Sequence, residues 1–208
     1  MVDIQLTTSI STKFFYDKRV FKRFNSILDK IVNNPGVSLT TLFESGADTV
    51  GIWRFLKNKK FNHVDIMNGY CDATKKSIKK IYSLTPSNEV YIIQDTSEIN
   101  LSSIKASEQL GYLNDNQAFR FLKQSKDDPS ISMDESVAKF KKLVDKGVLL
   151  HSCLACTVDG EPLGFTYQEQ IVRDFQNAGV RRSGIKKIEE KESFKWIKSV
   201  NQTLKLNL

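Results

Sequence analysis

The chain has 208 residues, of which 40% are hydrophobic and 26% charged, a composition typical of a soluble globular protein of one or two domains. No apolar run approaches the roughly 18 residues of a membrane span, and Met1–Thr12 lacks the apolar core of a secretory signal. The three cysteines fit no disulfide framework. The sequence therefore predicts a cytoplasmic protein that is not attached to a membrane.

The net charge of +7 is concentrated near the N-terminus. The chain has 31 Lys/Arg and 24 Asp/Glu in total, and residues 1–80 contain 14 and 7 of them. Residues 81–208 contain 17 of each kind, so their charges balance. A basic module joined to a neutral one is the charge distribution expected of a nucleic-acid-binding protein. A solubilising surface charge has a similar magnitude, so the asymmetry favours nucleic acid only modestly.

Apolar residues at spacings of three and four predict four helices joined by tight turns: Tyr16–Asn33, Ser38–Gly46, Thr49–Asn58 and His63–Tyr82. Asp17, Ser38 and Asp48 are the predicted N-caps of the first three helices. The third helix offers four candidates for burial: Ile52, Trp53, Phe55 and Leu56. Short helices with basic side chains on the outside favour a compact DNA-binding unit of helix-turn-helix type.

Four basic residues of these helices are candidate contacts to phosphates or bases: Arg19, Arg23, Arg54 and Lys57. Arg54 and Lys57 are three residues apart, which places them on one helix face. The alternative is a solvated surface with no ligand. The pattern does not decide which helix would enter a DNA groove.

A candidate metal ligand follows a short apolar run. Val90–Ile93 predicts a buried central strand, which ends at Gln94 and is followed by Asp95. An acidic residue just beyond the end of a buried strand is a common position for a metal ligand, because strand ends open into the crevice where ligands bind. The alternative is a turn, since Asp-Thr-Ser is also ordinary loop sequence.

The C-terminal part predicts a polar, mainly helical stretch and then a hairpin. The stretch covers about residues 103–146. Strands Val148–Val158 and Pro162–Gln170 follow, paired around an Asp159–Gly160 turn and placed beside the Asp95 strand. A last helix begins near Glu189.

Other combinations of reactive residues predict no chemistry. Cys153 and Cys156 form a C-x-x-C, but a zinc site needs a second ligand pair and a thioredoxin-type site needs the motif at a helix start. Both cysteines are therefore predicted to lie in the core, and His151 is predicted to be structural. The sequence contains no glycine-rich phosphate loop, so nucleotide binding is not expected.

Five segments, taken in chain order, resemble motifs of one protein family: Asp17–Arg23 (D-x-R-[apolar]-x-x-R), Trp53–Asn58 (aromatic-R-F-x-x-N), Ile93–Ile99 (I-Q-D-T-[TS]-E-L), the hairpin segments Leu150–Ser152 and Pro162–Gly164, and Glu190–Trp196 (E-K-E-S-x-K-W). The family is that of the bacterial cut-and-paste DDE transposases of the insertion-sequence-four family, in its Tn-five-like group. Each motif alone is weak, but five in the family's order over nearly the whole chain are specific.

The resemblance implies an α+β fold class with two domains. An N-terminal all-helical domain, residues 1–84, would bind double-stranded DNA at the inverted-repeat ends of a transposon. An incomplete ribonuclease-H-like α/β domain of three strands and flanking helices would follow, residues 85–208, with an inserted helical and loop stretch at about 103–146. Arg23, Arg54 and Lys57 occupy positions at which the family contacts DNA, and Arg19 is carried over as a further contact.

The resemblance also implies a catalytic role for Asp95 as the first of three metal-binding carboxylates. In the complete family, two Mg²⁺ ions activate the attacking water or 3′-hydroxyl and stabilise the leaving oxygen, and hard cations require oxygen ligands. The implied partners are transposon ends and either a second copy of the chain or a full-length transposase.

One departure from the family affects the expected activity. The family's second catalytic Asp lies on the core strand after the E-K-E-S helix, and its Glu lies far beyond, whereas this sequence stops at Leu208. We therefore expect the N-terminal portion of a transposase, from a truncated or split gene, that binds DNA but does not cleave it alone. Two alternatives remain open: a nuclease or transposase completed in trans by a second polypeptide, and a DNA-binding regulator unrelated to transposition.

Overall fold

The structure is a computed structural model with mixed helix and sheet. It describes residues 15, 17–43, 46–60, 62–84, 89–103, 110–114, 116–126, 128, 130–175, 178 and 187–206. The helices are α1 Lys18–Asn33, α2 Leu39–Leu42, α3 Gly46–Leu56, α4 His63–Leu84, α5 Asn116–Lys126, α6 Met133–Leu143 and α7 Phe194–Leu204, with a 3₁₀ helix at Ile188–Glu190. The strands are β1 Val90–Asn100, β2 Gly111–Tyr112, β3 Lys146–Thr157 and β4 Pro162–Ile171. The predicted N-terminal helical region is confirmed, while the ribonuclease-H-like fold remains a prediction.

The contacts of the chain divide it into two compact units. The first consists of the described residues within Met1–Tyr91 together with the hairpin end Ala155–Thr166, and the second consists of those within Ile92–Leu154 and Tyr167–Asn207. A membrane-crossing helix is absent from the described residues.

The N-terminal helices of the first unit pack around an aromatic core. Its buried members come from α1, α3 and the segments beside them: Phe15, Phe24, Ile27, Phe43, Ile52 and Phe55. Asp17 caps α1 as predicted, since its side chain accepts a hydrogen bond from the Arg19 backbone N–H at 2.7 Å. Ser38 likewise caps α2 through the Thr41 N–H at 3.3 Å. Burial of these rings fixes α3 against α1.

Three predictions for α3 were wrong. The helix begins at Gly46, so Asp48 lies in its first turn instead of capping it. There Asp48 forms an ion pair with Lys30 at 3.1 Å. Trp53 and Leu56 are 50% and 53% exposed, because Ile52 and Phe55 form the face of α3 that is buried in the core. An exposed tryptophan therefore lies on the outer face of this helix.

Within the described residues the sheet has four strands instead of the predicted three. Its order is β1-β3-β2, and β4 also pairs with β3. The additional strand is β2, which falls inside the stretch predicted to be helix and loop and pairs antiparallel with β3 through Gly111 opposite Gly147. The β3–β4 hairpin is confirmed. Its turn is closed by a hydrogen bond from the Gly160 N–H to the Thr157 carbonyl at 3.0 Å.

The position predicted for Asp95 in the sheet was wrong. Strand β1 continues to Asn100, so Asp95 lies in its middle instead of beyond its end, and Asp95 is exposed. The strand is also at an edge of the described sheet instead of in its centre, and Tyr91 and Ile93 are 52% and 53% exposed. Its polar second half stays extended because it pairs with β3, as in the 2.8 Å hydrogen bond from the Leu101 N–H to the Lys146 carbonyl.

The stretch between β2 and β3 builds a second aromatic core. Helices α5 and α6 enclose Phe140, which is fully buried, and Tyr112 packs edge-on against it with ring centroids 5.7 Å apart. Ser132 begins α6 with a reciprocal capping box that pairs it with Glu135. This part of the predicted insertion is therefore an ordered helical layer of the second unit.

His151 on β3 belongs to a buried polar network, and the prediction that it is structural is consistent with this position. Its Nδ1 lies 2.8 Å from Thr96 Oγ1, its Nε2 lies 3.2 Å from Ser199 Oγ, and the side chain is fully buried. Ser199 Oγ also donates a hydrogen bond to Gln94 Oε1 at 2.9 Å. The network links β1, β3 and α7. Cys153 and Cys156 are buried, as predicted for core residues.

Acidification is expected to destabilise the second unit through His151. Burial lowers the pKa of His151 below its usual 6.5, with a further contribution from the positive charge of Lys195. The unfolded chain therefore takes up a proton below about pH 6.5 that the folded chain takes up only at lower pH, so stability is lost as pH falls from that value through the folded pKa. We expect a lower melting temperature at pH 5.5 than at pH 7.5, measured by circular dichroism, and a smaller difference in His151→Gln. An equal pH difference in both proteins would contradict this.

Candidate nucleic-acid interface

A groove in the first unit gathers three of the four basic residues predicted to contact DNA. Its volume is ≈ 320 Å³, and its walls come from α1, α3 and the residues that flank them: Asp17, Arg19, Val20, Arg23, Gly51, Arg54, Phe55 and Asn58. The shared core holds the two helices together, so the packing fixes the backbone positions from which the three arginine side chains extend.

Arg19 is oriented by the residue that caps α1. Its Nε and Nη2 lie 3.3 and 3.1 Å from the two carboxylate oxygens of Asp17. The Arg19 side-chain and backbone hydrogen bonds lower the pKa of Asp17, and the carboxylate raises the pKa of Arg19. The side chain of Arg19 remains 93% exposed. Since a guanidinium has five N–H donors, Arg19 retains donors for a ligand while its direction is set by Asp17.

Arg23 lies one helical turn further along α1 and reaches α3. Its Nη1 is 3.8 Å from Asp48 Oδ1. Asp48 is shared with Lys30, whose ammonium also lies 4.7 Å from the centroid of the Phe43 ring. This arrangement gives α1 and α3 an electrostatic contact beside their hydrophobic one, and leaves Arg23 44% exposed.

Arg54 and Lys57 are the basic residues on the outer side of α3. Both are exposed, and within the described part of the chain neither forms an ion pair. Arg54 lines the groove, whereas Lys57 follows the last residue of α3 and is not among the lining residues. Of the predicted set of four, Arg19, Arg23 and Arg54 line one groove, and Lys57 is not among its lining residues.

The groove has the chemistry of an anion-binding surface. Guanidinium groups are planar, remain charged and match the oxygen pairs of phosphates or the edge of guanine with two parallel hydrogen bonds. A guanidinium is also more weakly hydrated than an ammonium, so replacing its water with a phosphate costs less desolvation free energy. Three such groups from two fixed helices can contact several points along a polyanion.

Gly51 and Asn58 are among the groove residues that sequence reasoning did not identify. Gly51 lies in the interior of α3, under the Arg23 guanidinium, and Asn58 also lines the groove. A signal for Gly51 was present, because glycine disfavours a helix interior and requires a packing or functional reason there. Asn58 belongs to the aromatic-R-F-x-x-N segment but was not identified as a site residue.

Asp95 lies in the second unit, where its surroundings do not form a metal site. No group of three or more His, Cys, Asp or Glu side chains close enough to share a metal ion occurs in the described ranges. Glu192, in the segment that resembles E-K-E-S, is used structurally: its two carboxylate oxygens accept hydrogen bonds from Arg173 at 2.8 Å each. The described residues thus do not provide the ligand set that magnesium would need, and the metal role of Asp95 remains a prediction.

Comparison with known proteins gives one finding for this region. A family model described as "Transposase DNA-binding" matches residues 7–61, which include all four predicted DNA contacts and every residue that lines the groove. No curated protein matches the chain. The match supports a DNA-binding role in transposition for the N-terminal region, with double-stranded DNA as the partner. Residues 7–61 are thus similar to the DNA-binding region of transposases.

Proposed function

We propose that the chain recognises the inverted-repeat ends of a transposable element, as the DNA-binding portion of a cut-and-paste DDE transposase of the insertion-sequence-four family, Tn-five-like group. The observation that carries the proposal is the groove in which Arg19, Arg23 and Arg54 meet, inside the segment that matches transposase DNA-binding domains. The excess positive charge of residues 1–80 supports it.

Helix α3 is the proposed recognition element. It carries the exposed Arg54 on one side of an exposed Trp53, with Lys57 just after its last residue. The exposed ring of Trp53 offers an apolar surface for a thymine methyl or a sugar, while the two cations contact guanine edges or phosphates. Arg19 and Arg23 on α1 are then placed to contact the backbone, which positions the duplex without reading its sequence.

Catalysis is proposed to require carboxylates in addition to Asp95. Asp95 would be one ligand of a two-magnesium site in a ribonuclease-H-like domain, together with two further carboxylates. The edge position and exposed face of β1 support a further strand pairing there. Without those carboxylates the chain would bind ends as a homodimer or with a full-length transposase, and would not cut them.

The test is a gel-shift titration of the purified chain against duplexes of the element ends and against scrambled duplexes. We expect the ends to bind at least tenfold more tightly than scrambled DNA at 150 mM salt, and the affinity to fall steeply between 50 and 200 mM salt, as it does when several phosphates are contacted, by roughly 10³-fold or more for six contacts. With Mg²⁺ present we expect no nicking of the bound DNA.

Each alternative gives a different result in this titration. Nicking that is lost in Asp95→Ala would show that the chain has a complete active site, and the proposal that it binds the ends without cutting them would fail. Tighter binding to an operator sequence than to the element ends would favour a regulator unrelated to transposition. Binding that does not depend on salt would rule out the arginine groove as the DNA contact.

A further inference from the structure

Gly51 occupies a position in α3 where glycine is unfavourable. It lies in the middle of the eleven residues Gly46–Leu56, and glycine in a helix interior is less stable than alanine because it loses more backbone freedom on folding. Its φ angle does not fall in the left-handed region, so conformation does not require glycine at this position. Some contact of the folded protein must therefore account for the absence of a side chain.

That contact is the guanidinium of Arg23. A Cβ atom at Gly51 would lie 3.1 Å from Arg23 Cζ, 3.2 Å from Nη1 and 3.3 Å from Nη2. The central carbon is the nearest of the three atoms, which means that the approach is over the flat face of the guanidinium and not along its edge. Arg23 thus lies flat on the bare backbone of α3.

The flat packing determines where the donors of Arg23 point. With one face against α3, its N–H groups are directed sideways, one of them toward Asp48 at 3.8 Å. Arg54 is three residues after Gly51, and this spacing places both on one side of the helix. Arg54 lines the same groove as Gly51 and Arg23. Gly51 therefore allows a guanidinium from α1 to lie on α3 within the groove that Arg54 also lines.

We propose that Gly51 is a positioning residue for DNA binding: it holds the Arg23 guanidinium flat against α3 so that Arg23 and Arg54 act together on the bound duplex. The inference rests on the proposed function and adds a residue that contacts no DNA itself. A Cβ at this position must displace the guanidinium by a few tenths of an ångström or more. Such a displacement moves the guanidinium away from α3 and so shifts its N–H donors relative to Arg54.

The test compares Gly51→Ala with Gly46→Ala in the same helix, where a new Cβ meets nothing within 4 Å. We expect Gly51→Ala to weaken binding to the element ends about tenfold, on the order of the loss of one arginine contact, with a melting temperature equal to or above that of the wild type. Gly46→Ala should bind within twofold of the wild type. In the Arg23→Ala background, Gly51→Ala should cause no further loss, because the group it displaces is gone.

Three results would overturn the inference. Wild-type affinity in Gly51→Ala would show that the position of Arg23 does not depend on the glycine. A tenfold loss that persists in the Arg23→Ala background would show that Gly51 acts through another residue. A Gly51→Ala chain that melts well below the wild type would show that the glycine serves helix packing. If the wild-type chain did not bind the ends, the proposed function itself would be refuted. Binding by the wild type therefore tests the proposed function, and the variants test the role of Gly51.

Discussion

Replacing Arg54 and Lys57 together by alanine is expected to weaken binding to the element ends about a hundredfold, with each residue contributing about tenfold, or about 1.4 kcal/mol. Both side chains are exposed, and in the described ranges neither forms an ion pair that would have to be broken before it meets DNA. Their full charge is therefore available to the duplex. Because exposed side chains without such partners contribute little to folding, the melting temperature should stay close to that of the wild type.

Arg54 and Lys57 are expected to differ in how much they contribute to sequence preference. Arg54 lies in the groove beside the other arginines, so Arg54→Ala should reduce the preference for the ends over scrambled DNA. Lys57 lies outside that lining, and a lysine acts on phosphates as a point charge. Lys57→Ala should therefore weaken binding to all duplexes alike and reduce the dependence of log K on log salt concentration by about one.

A matched control separates local contacts from total charge. Lys123 and Lys142 are exposed lysines of α5 and α6 in the second unit, and the Lys123→Ala/Lys142→Ala chain loses the same two charges. It should keep at least half of the wild-type affinity in the same titration. If this control lost as much affinity as the Arg54→Ala/Lys57→Ala chain, binding would depend on net charge alone and α3 would have no special role.

Local sequence signals predicted the N-terminal helices well because caps act over three residues. Asp17 and Ser38 each have an acceptor oxygen next to the first free N–H groups of a helix, and the structure uses both. Asp48 is also a typical N-cap residue, but its carboxylate pairs with Lys30 and Arg23 of α1. These ion pairs depend on tertiary packing, which a local sequence pattern does not predict.

The strand around Asp95 was predicted less well for a related reason. Val90–Ile93 is apolar on both faces, which indicates a strand buried on both sides, yet Tyr91 and Ile93 are about half exposed. The polar half that follows was predicted to lie beyond the end of the strand. Its extended conformation comes from pairing with β3, and Thr96 contributes a side-chain hydrogen bond to the buried His151. A single-sequence pattern contains no information on that pairing.

The sequence predicted the charged residues of the candidate site, but it did not predict the residue that supports them, Gly51. Arg19, Arg23 and Arg54 were found because basic residues on helix faces are visible in the sequence, and the structure gathers them in one groove. The role of Gly51 depends on its contact with the Arg23 guanidinium. That contact exists only once α1 has packed on α3, so the sequence pattern does not show it. Lys57 is not among the residues that line the groove, and its contact with DNA remains a prediction.

Gly147→Ala is expected to destabilise the second unit by about 3 kcal/mol or more, a larger effect than most single substitutions. Gly147 lies near the start of β3, opposite Gly111 of β2. A Cβ there would overlap the carbonyl oxygen of Ile99 in β1 and would lie 2.9 Å from Leu113 Cδ1. A side chain such as Leu113 can rotate away, but the Ile99 carbonyl is part of the backbone of β1. Accommodating the methyl group therefore requires β1 to move away from β3.

The expected measurement is a melting temperature lower by roughly 6–12 °C, followed by circular dichroism. Gly46→Ala is the matched control, because it adds the same methyl group in open space and should melt within about 2 °C of the wild type. Since Gly147 and the proposed DNA contacts lie in different units, Gly147→Ala should also retain wild-type affinity for the element ends at temperatures where it remains folded. A Gly147→Ala chain as stable as the wild type would show that β1 and β3 are not held together at Ile99. Strand β1, which carries Asp95, would then not be held against β3 by the close contact between Ile99 and Gly147.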